Sequence, residues 1–248
     1  MFIIKYLFGG FSQAWINPVV FVIAVLWFVG GNLFPDFLVT TDFLCSRNPS
    51  QLLIDSGVFP ISGFDSSVTE TLNNTVFDLF KVSIPEGYVS LFWDTHSVIP
   101  AFRFNFITLL SSIILFGTDL IKLIIPSTFL VVYLVLVRFL SPLFCNGIPY
   151  QGDMLLAMLT SGTLFYATFV LQSHGTLPIS VVGKVLYGVF AGIFAFVITG
   201  CGTSSTGMAF TVLFANIFSL LIQKWEDKTN KRKLQKLIAS IENENGVC

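Results

Sequence analysis

The chain has 248 residues, of which 54% are hydrophobic and only 11% are charged, and its formal net charge is −1. Soluble domains carry about 25% charged residues, so this composition, with a mean hydropathy of +0.82, indicates an integral membrane protein. The near-zero net charge argues against nucleic-acid binding, which calls for a strongly basic surface. The four cysteines show no CxxC spacing, so neither a zinc site nor a disulfide framework is predicted.

The amino-terminal part predicts one membrane span. A glycine-containing stretch at 6–13 leads into a long apolar run, and we place the span at 15–34. Asn17-Pro18 fits the start of a helix, because proline is preset for the first turn and asparagine is a good cap. A binding role for Asn17 is equally compatible with the sequence.

Residues 35–102 are polar and are predicted to form one long extracytoplasmic loop. The segment carries eight acidic residues against only Arg47 and Lys81. Long loops are usually functional or disordered. The stretches 76–80 and 88–93 are expected to lie as short amphipathic pieces at the membrane interface.

Five further apolar blocks bring the prediction to an all-α, polytopic membrane fold with about six spans. We place them at 103–118, 120–141, 153–172, 181–199 and 206–223. Joints at 172–180 and 200–207 contain small polar residues that can satisfy unwound backbone near the membrane face. Small residues in the fifth span predict a close helix contact: Gly188, Ala191, Gly192 and Ala195.

The basic tail at 224–248 sets the predicted topology. We expect a short surface helix, and the tail should be cytoplasmic by the positive-inside rule. Six spans then place the amino terminus on the same side and the 35–102 loop outside. An apolar stripe is predicted along the tail helix, formed by Leu234, Leu237, Ile238 and Ile241.

Four stretches resemble one known family. Residues 206–216 (TGMAFTVLFAN) are similar to a last transmembrane helix that reads GVAFAVLLxN, and residues 183–188 (GKVLYG) to a GRLIFG helix start. Residues 159–169 (LTSGTLFYATF) resemble an LLSGGLLLGAFF segment, and residues 6–18 (YLFGGFSQAWINP) a YGGLGQNPFNPA opening. The family is RnfD/NqrB, the membrane subunits of Rnf and Na⁺-translocating NADH:quinone oxidoreductase complexes. The resemblance is mainly to its carboxy-terminal half.

This resemblance implies a membrane subunit of a flavin-dependent, ion-translocating electron-transport complex in the bacterial inner membrane. The chain would be a scaffold or flavin-carrying subunit and not a self-contained enzyme. Its expected partners are the lipid bilayer and other Rnf- or Nqr-like subunits, which we expect to dock on the Gly/Ala faces of the helices.

The resemblance also implies a covalent FMN, joined through its phosphate to a threonine of an S-G-A-T-like loop motif. The similar stretch here is Ser66-Ser67-Val68-Thr69, which makes Thr69 the candidate acceptor. A second alignment makes Thr71 the acceptor. Transfer of the flavin calls for a hydroxyl on an exposed, locally extended loop with small neighbours.

Several positions depart from the family pattern. Val68 and Glu70 crowd the candidate acceptors, and a carboxylate beside a phosphodiester is electrostatically unfavourable. Leu171-Gln172-Ser173-His174 stands where the family usually carries an acidic TDP. No Asp, Glu, Lys or His lies deep inside a predicted span, and Arg138 lies near an outer end of its span, where it could snorkel. Ion coupling by this chain alone is therefore weakly supported.

Two other classes of function stay open. The chain could be half of a small transporter or channel that oligomerises into an inverted-repeat bundle. It could also be a degenerate structural subunit that carries no flavin and only holds a complex together.

Overall fold

A computed structural model describes residues 16–34, 60–97, 99–144, 150, 152–172, 177–200 and 206–245, and these residues contain helices and turns but no strand. The α-helices, in chain order, are α1 (Pro18–Gly30), α2 (Asp65–Leu72), α3 (Tyr88–Trp93), α4 (Pro100–Arg103), α5 (Asn105–Gly117), α6 (Ile124–Phe144), α7 (Met154–Leu159), α8 (Thr163–Phe165), α9 (Val181–Ala195) and α10 (Gly207–Asn245). Turns of 3-10 helix lie at Gly31–Leu33 and Asp78–Phe80, and π-helical turns at Asn73–Phe77, Tyr166–Val170 and Phe196–Gly200.

Three helical stretches in the described residues are long and apolar enough to cross a membrane: Ile124–Phe144, Val181–Thr199 and Gly207–Ala239. Helices α1 and α5 are apolar but have only 13 residues each. At 1.5 Å per residue they reach about 20 Å, less than the ~30 Å hydrocarbon core. The all-helical membrane fold therefore agrees with the sequence prediction, while the count of six spans stays a prediction.

The apolar block at 153–172 is interrupted and does not form one continuous helix. Helix α7 ends at Leu159, and Ser161 and Gly162 adopt left-handed conformations, with φ of 61° and 68°. The hydroxyl of Thr160 donates to Leu156 O at 2.6 Å, and that of Thr163 donates to Ala157 O at 2.9 Å. The Leu156 carbonyl also accepts the backbone N–H of Thr160 at 3.0 Å, so the Thr163 hydroxyl is the bond that replaces a helical partner, at the Ala157 carbonyl.

Helix α9 lies at the centre of the bundle, between α6 and α10. Two of its buried glycines, Gly188 and Gly192, face α6, and a Cβ placed on Gly188 would collide with the Thr128 hydroxyl. A Cβ on Gly192 would lie 2.9 Å from both Cβ and Cγ1 of Val132. The close helix contact predicted from these small residues is thus made within this chain. The expectation that the Gly/Ala faces dock other subunits is wrong for the face of α9 that contains Gly188 and Gly192, because α6 already covers it.

Helix α10 continues without a break from Gly207 to Asn245, so the basic tail extends the last span and is not a separate surface helix. Glu226 fixes this helix against the start of α9. Its buried carboxylate accepts hydrogen bonds from the N–H of Ile179 and of Ser180, both at 3.1 Å, and from the Ser180 hydroxyl. Beyond this point the apolar stripe is exposed at Leu234, Leu237 and Ile238.

Replacing Gly192 by leucine is expected to lower the free energy of unfolding by about 1–3 kcal/mol, the usual cost of overpacking. The added side chain has no space against Val132. Thermal unfolding in detergent measures the effect. The matched control is Ile193→Leu, because Ile193 is 39% exposed on the same helix. Equal stability of the two variants would contradict the close packing of α6 on α9.

Candidate functional site

Asp65 joins α2 to the start of α3. Its buried carboxylate accepts hydrogen bonds from Gly87 N–H at 2.9 Å and from Ser90 N–H at 2.6 Å. The hydroxyls of Ser90 and Thr69 donate to it at 2.5 Å and 3.1 Å. Gly87, with φ of 99°, takes the left-handed conformation that turns the chain into α3. One side chain therefore joins α2 to backbone groups that lie 22 and 25 residues further along the chain, at α3.

The same contacts set the charge of Asp65. Burial alone would raise the pKa of this carboxyl, but the hydrogen bonds from Gly87, Ser90 and Thr69 outweigh burial and hold the pKa below its usual value. Donors aimed at a carboxylate favour the ionised form. Asp65 thus stabilises the docking of α2 on α3 as an anion.

The four candidate flavin residues all lie in α2, a helix and not the extended loop that the sequence analysis expects. Thr69 is buried, with 4% of its surface exposed, and its hydroxyl donates to Asp65. Thr71 is exposed, and its hydroxyl donates to Ser67 O at 2.8 Å. Ser66 and Ser67 are also exposed, and the Ser67 hydroxyl donates to Phe64 O. The structure therefore separates the two threonines into one buried and one exposed hydroxyl.

A cavity of about 520 Å³ lies between α2, α3, α5 and α7. Thr69 is on its wall, whereas Thr71 is not. The lining residues are Phe64, Val68, Thr69, Leu72, Phe77, Ile84, Tyr88, Val89, Phe92, Trp93, Phe106, Leu155, Met158 and Leu159. We call this cavity the aromatic pocket.

Polar side chains that the sequence analysis did not single out fix the walls of the aromatic pocket. Asn105 at the start of α5 donates to Leu159 O at 2.6 Å and to Leu91 O at 3.3 Å. The Tyr88 hydroxyl donates to Asp153, which caps α7. Asp153 precedes an apolar block, and an aspartate at this position is a sequence signal for a helix cap.

The surroundings of α2 supply the exposed hydroxyl that attachment of a flavin phosphate requires, but few positive charges. Residues 60–97 contain five carboxylic side chains and a single Lys or Arg, Lys81. The described residues offer FMN an exposed hydroxyl but no cluster of cations for its phosphate. They also contain no group of three His, Cys, Asp or Glu side chains that could hold a metal ion.

Comparison with known proteins decides the family. The model of the NQR2, RnfD, RnfE family matches residues 1–232. The chain belongs to this family.

Several curated relatives of this NQR2/RnfD/RnfE member are named as a subunit of an ion-translocating oxidoreductase complex. The protein of Vibrio cholerae (strain M66-2) is 27% identical over 238 residues, which cover 89% of this chain and 66% of the relative. Those of Vibrio vulnificus (strain YJ016) and Sodalis glossinidius are each 27% identical, over 244 and 190 residues. The chain thus spans 66% of the length of the Vibrio cholerae relative.

Membership confirms the family that the four sequence stretches predict. It also supports a multi-pass membrane protein of a bacterial membrane-complex family. The assignment of Thr69 or Thr71 as a flavin acceptor stays a prediction.

Replacing Asp65 by alanine is expected to release α2 from α3. The variant leaves the buried N–H groups of Gly87 and Ser90 without their acceptor, at a cost of about 1–3 kcal/mol per group. Hydrogen exchange of residues 60–97 should accelerate, most at these two amides. The control is Asp78→Ala, an exposed carboxylate in the same segment. Unchanged exchange in the Asp65 variant would show that the carboxylate does not hold α2.

Docking of α2 should also depend on pH. The unfolded pKa of an aspartate is about 3.9, and a lower folded pKa gives stability that is present above this value. This stability is lost as the pH falls through the folded pKa of Asp65. Limited pepsin proteolysis between about pH 4 and pH 2 should show cleavage of residues 60–97 that increases with acidity. Asp65→Asn should remove most of this pH dependence.

Proposed function

We propose that the protein is a membrane subunit of an ion-translocating electron-transport complex of the Rnf/Nqr type. The observation that carries this proposal is the family match over residues 1–232. The relatives named above are subunits of ion-translocating oxidoreductase complexes. The long apolar helices of the bundle suit a subunit of such a complex, because they place it in the membrane where ions must cross.

The proposed partners are the other membrane subunits of the complex. In the proposed arrangement both termini face the cytoplasm and the segment containing α2 and α3 faces the opposite side of the inner membrane. Lys224, Lys228 and Lys231 on α10 support the orientation of the carboxyl end, because basic residues that flank a span favour the cytoplasm.

The proposal includes FMN attached through its phosphate to Thr71. The flavin-transferring enzyme would cleave the diphosphate of a flavin adenine dinucleotide donor, join the FMN part to the Thr71 oxygen, and release AMP and the hydroxyl proton. This hydroxyl is exposed on the outer side of α2, so an enzyme that transfers flavin reaches it without unfolding the helix. The hydroxyl of Thr69 is reached only when α2 leaves its place on Asp65. A bound FMN would supply one- and two-electron transfer to the complex.

Intact-protein mass together with in-gel flavin fluorescence tests this proposal. The chain is co-expressed with the neighbouring subunits and a flavin-transferring enzyme. The expected result is an FMN adduct in the wild type and in Thr75→Ala, and none in Thr71→Ala. Thr75 is a matched control, because it is also exposed and lies one helical turn further along. An adduct lost in Thr69→Ala instead would move the attachment to the buried threonine.

A second candidate is a structural subunit without flavin. The acidic surroundings of α2 and the buried hydroxyl of Thr69 favour it, because neither suits a phosphodiester. Its signature is an unmodified mass under the same co-expression. Electron transfer by the assembled complex would then be unchanged in the Thr69→Ala, Thr71→Ala double variant.

A further inference from the structure

The aromatic pocket has walls that offer a ligand almost only hydrocarbon surface. Its two hydroxyl groups are already engaged, since the Thr69 hydroxyl donates to Asp65 and the Tyr88 hydroxyl donates to Asp153. Burying a polar group of a ligand there without a partner would be unfavourable. The occupant of this space is therefore apolar over the buried part of its length.

The predicted position of the pocket indicates whether such a ligand would enter from water or from the lipid bilayer. Two walls, α2 and α3, belong to the segment that the sequence places outside the membrane. The other two, α5 and α7, belong to apolar blocks that the sequence places inside it. On the predicted topology, the pocket lies at the boundary between water and lipid.

The exposed aromatic side chains of the pocket mark the same boundary. Trp93 stacks on Phe106 with ring centroids 5.6 Å apart, and Phe64 meets Trp93 edge-on at 6.1 Å. All three are partly exposed: Trp93 at 52%, Phe106 at 39% and Phe64 at 42% of their surfaces. Tryptophan is enriched at headgroup depth, where one side of the ring is apolar and the other is wet.

A polar ion pair lies next to these rings in sequence. Asp94 follows Trp93 directly, and Arg103 precedes Phe106 by three positions. The guanidinium of Arg103 donates to both carboxylate oxygens of Asp94, at 2.8–3.0 Å. Arg103 remains 45% exposed. An amphipathic molecule would therefore meet apolar walls inside the pocket. The ion pair would be available to its polar part, because Asp94 and Arg103 are close in sequence to the aromatic side chains of the pocket.

We propose that the aromatic pocket binds one acyl chain of a membrane phospholipid, drawn from the bilayer between the α2–α3 pair and the α5–α7 pair. The chain lies against the apolar side chains of all four helices, and its headgroup stays at the aromatic side chains. The volume of about 520 Å³ is within the range of ~300–1,000 Å³ that is usual for ligand sites. The proposal holds whether or not the protein carries flavin, because it does not use the Thr71 hydroxyl.

Photo-crosslinking of the purified full chain tests this inference. The probe is phosphatidylethanolamine with a diazirine near the end of one acyl chain, in mixed detergent micelles. The expected label falls on α2 and α3, which the sequence places outside the membrane, and unlabelled phosphatidylethanolamine competes for it at saturating amounts. Label on the lipid-facing side of α6, at Val131 and Val135, is the internal reference for non-specific contact, because both are exposed.

Two variants that place an indole in the pocket, Val68→Trp and Leu155→Trp, are the decisive comparison. Val68 on α2 and Leu155 on α7 are each 37% exposed, so a larger side chain has room to turn. Two variants are used so that the test still stands if one of them does not fold. Pocket label should fall at least about tenfold, the change expected from losing two buried methylene contacts. The control is Val82→Trp, an exposed valine that does not line the pocket.

The possible results separate the proposal from its alternatives. The acyl-chain proposal is overturned if unlabelled phosphatidylethanolamine does not reduce the label on α2 and α3. It is also overturned if both indole variants leave that label unchanged. Loss of the label when the neighbouring subunits are present also overturns it, because a protein side chain would then fill the pocket. Competition by free FMN and not by phospholipid would assign the pocket to the flavin ring. The mass experiment on Thr71 can fail without affecting any of these outcomes.

Discussion

A polypeptide that interrupts its helices inside a membrane must find hydrogen-bond partners for the freed backbone groups, and this requirement explains many of the polar residues of the described chain. Asn17 donates to Val170 O at the π-helical end of the broken block, and Gln172 accepts from Lys122 N–H just before α6. The Glu226 carboxylate accepts hydrogen bonds from the backbone N–H groups of Ile179 and Ser180, just before α9. In each case a side chain from a distant part of the sequence satisfies an irregular segment. The hydrogen bonds that satisfy the irregular backbone are therefore also tertiary contacts.

The features that sequence predicts well are those with a local cause. The apolar length of 124–144 and 181–199 predicts spanning helices, and the spacing of Gly188 and Gly192 predicts a close contact. Asn17 caps α1 as its position before Pro18 suggests, because its side chain accepts from Val19 N–H. Composition, length and capping chemistry act over a few residues, and a single sequence displays them directly. The break at Ser161-Gly162 was less visible, since the apolar block runs through it.

The candidate site was hidden because its cause is not local. Residues 65–72 contain mostly small polar side chains and look like a surface loop, yet Asp65 meets donors at Gly87 and Ser90, 22 and 25 positions away. The aromatic pocket likewise draws its walls from four helices between Phe64 and Leu159. No periodicity within one segment reveals such a meeting. The family resemblance implies an extended loop at Ser66–Thr69, whereas these residues lie in a helix.

Because α10 is one continuous helix, it can transmit force along its length. Its 39 residues span about 58 Å, of which roughly 30 Å suffices to cross the hydrocarbon core. The rest is a rigid arm that leaves the bundle, with no flexible joint in the backbone between Gly207 and Asn245. Glu226 lies close to where the arm emerges and is bonded to the start of α9. A tilt imposed on the basic end by any neighbour would therefore be transmitted as torque to the helix at the centre of the bundle.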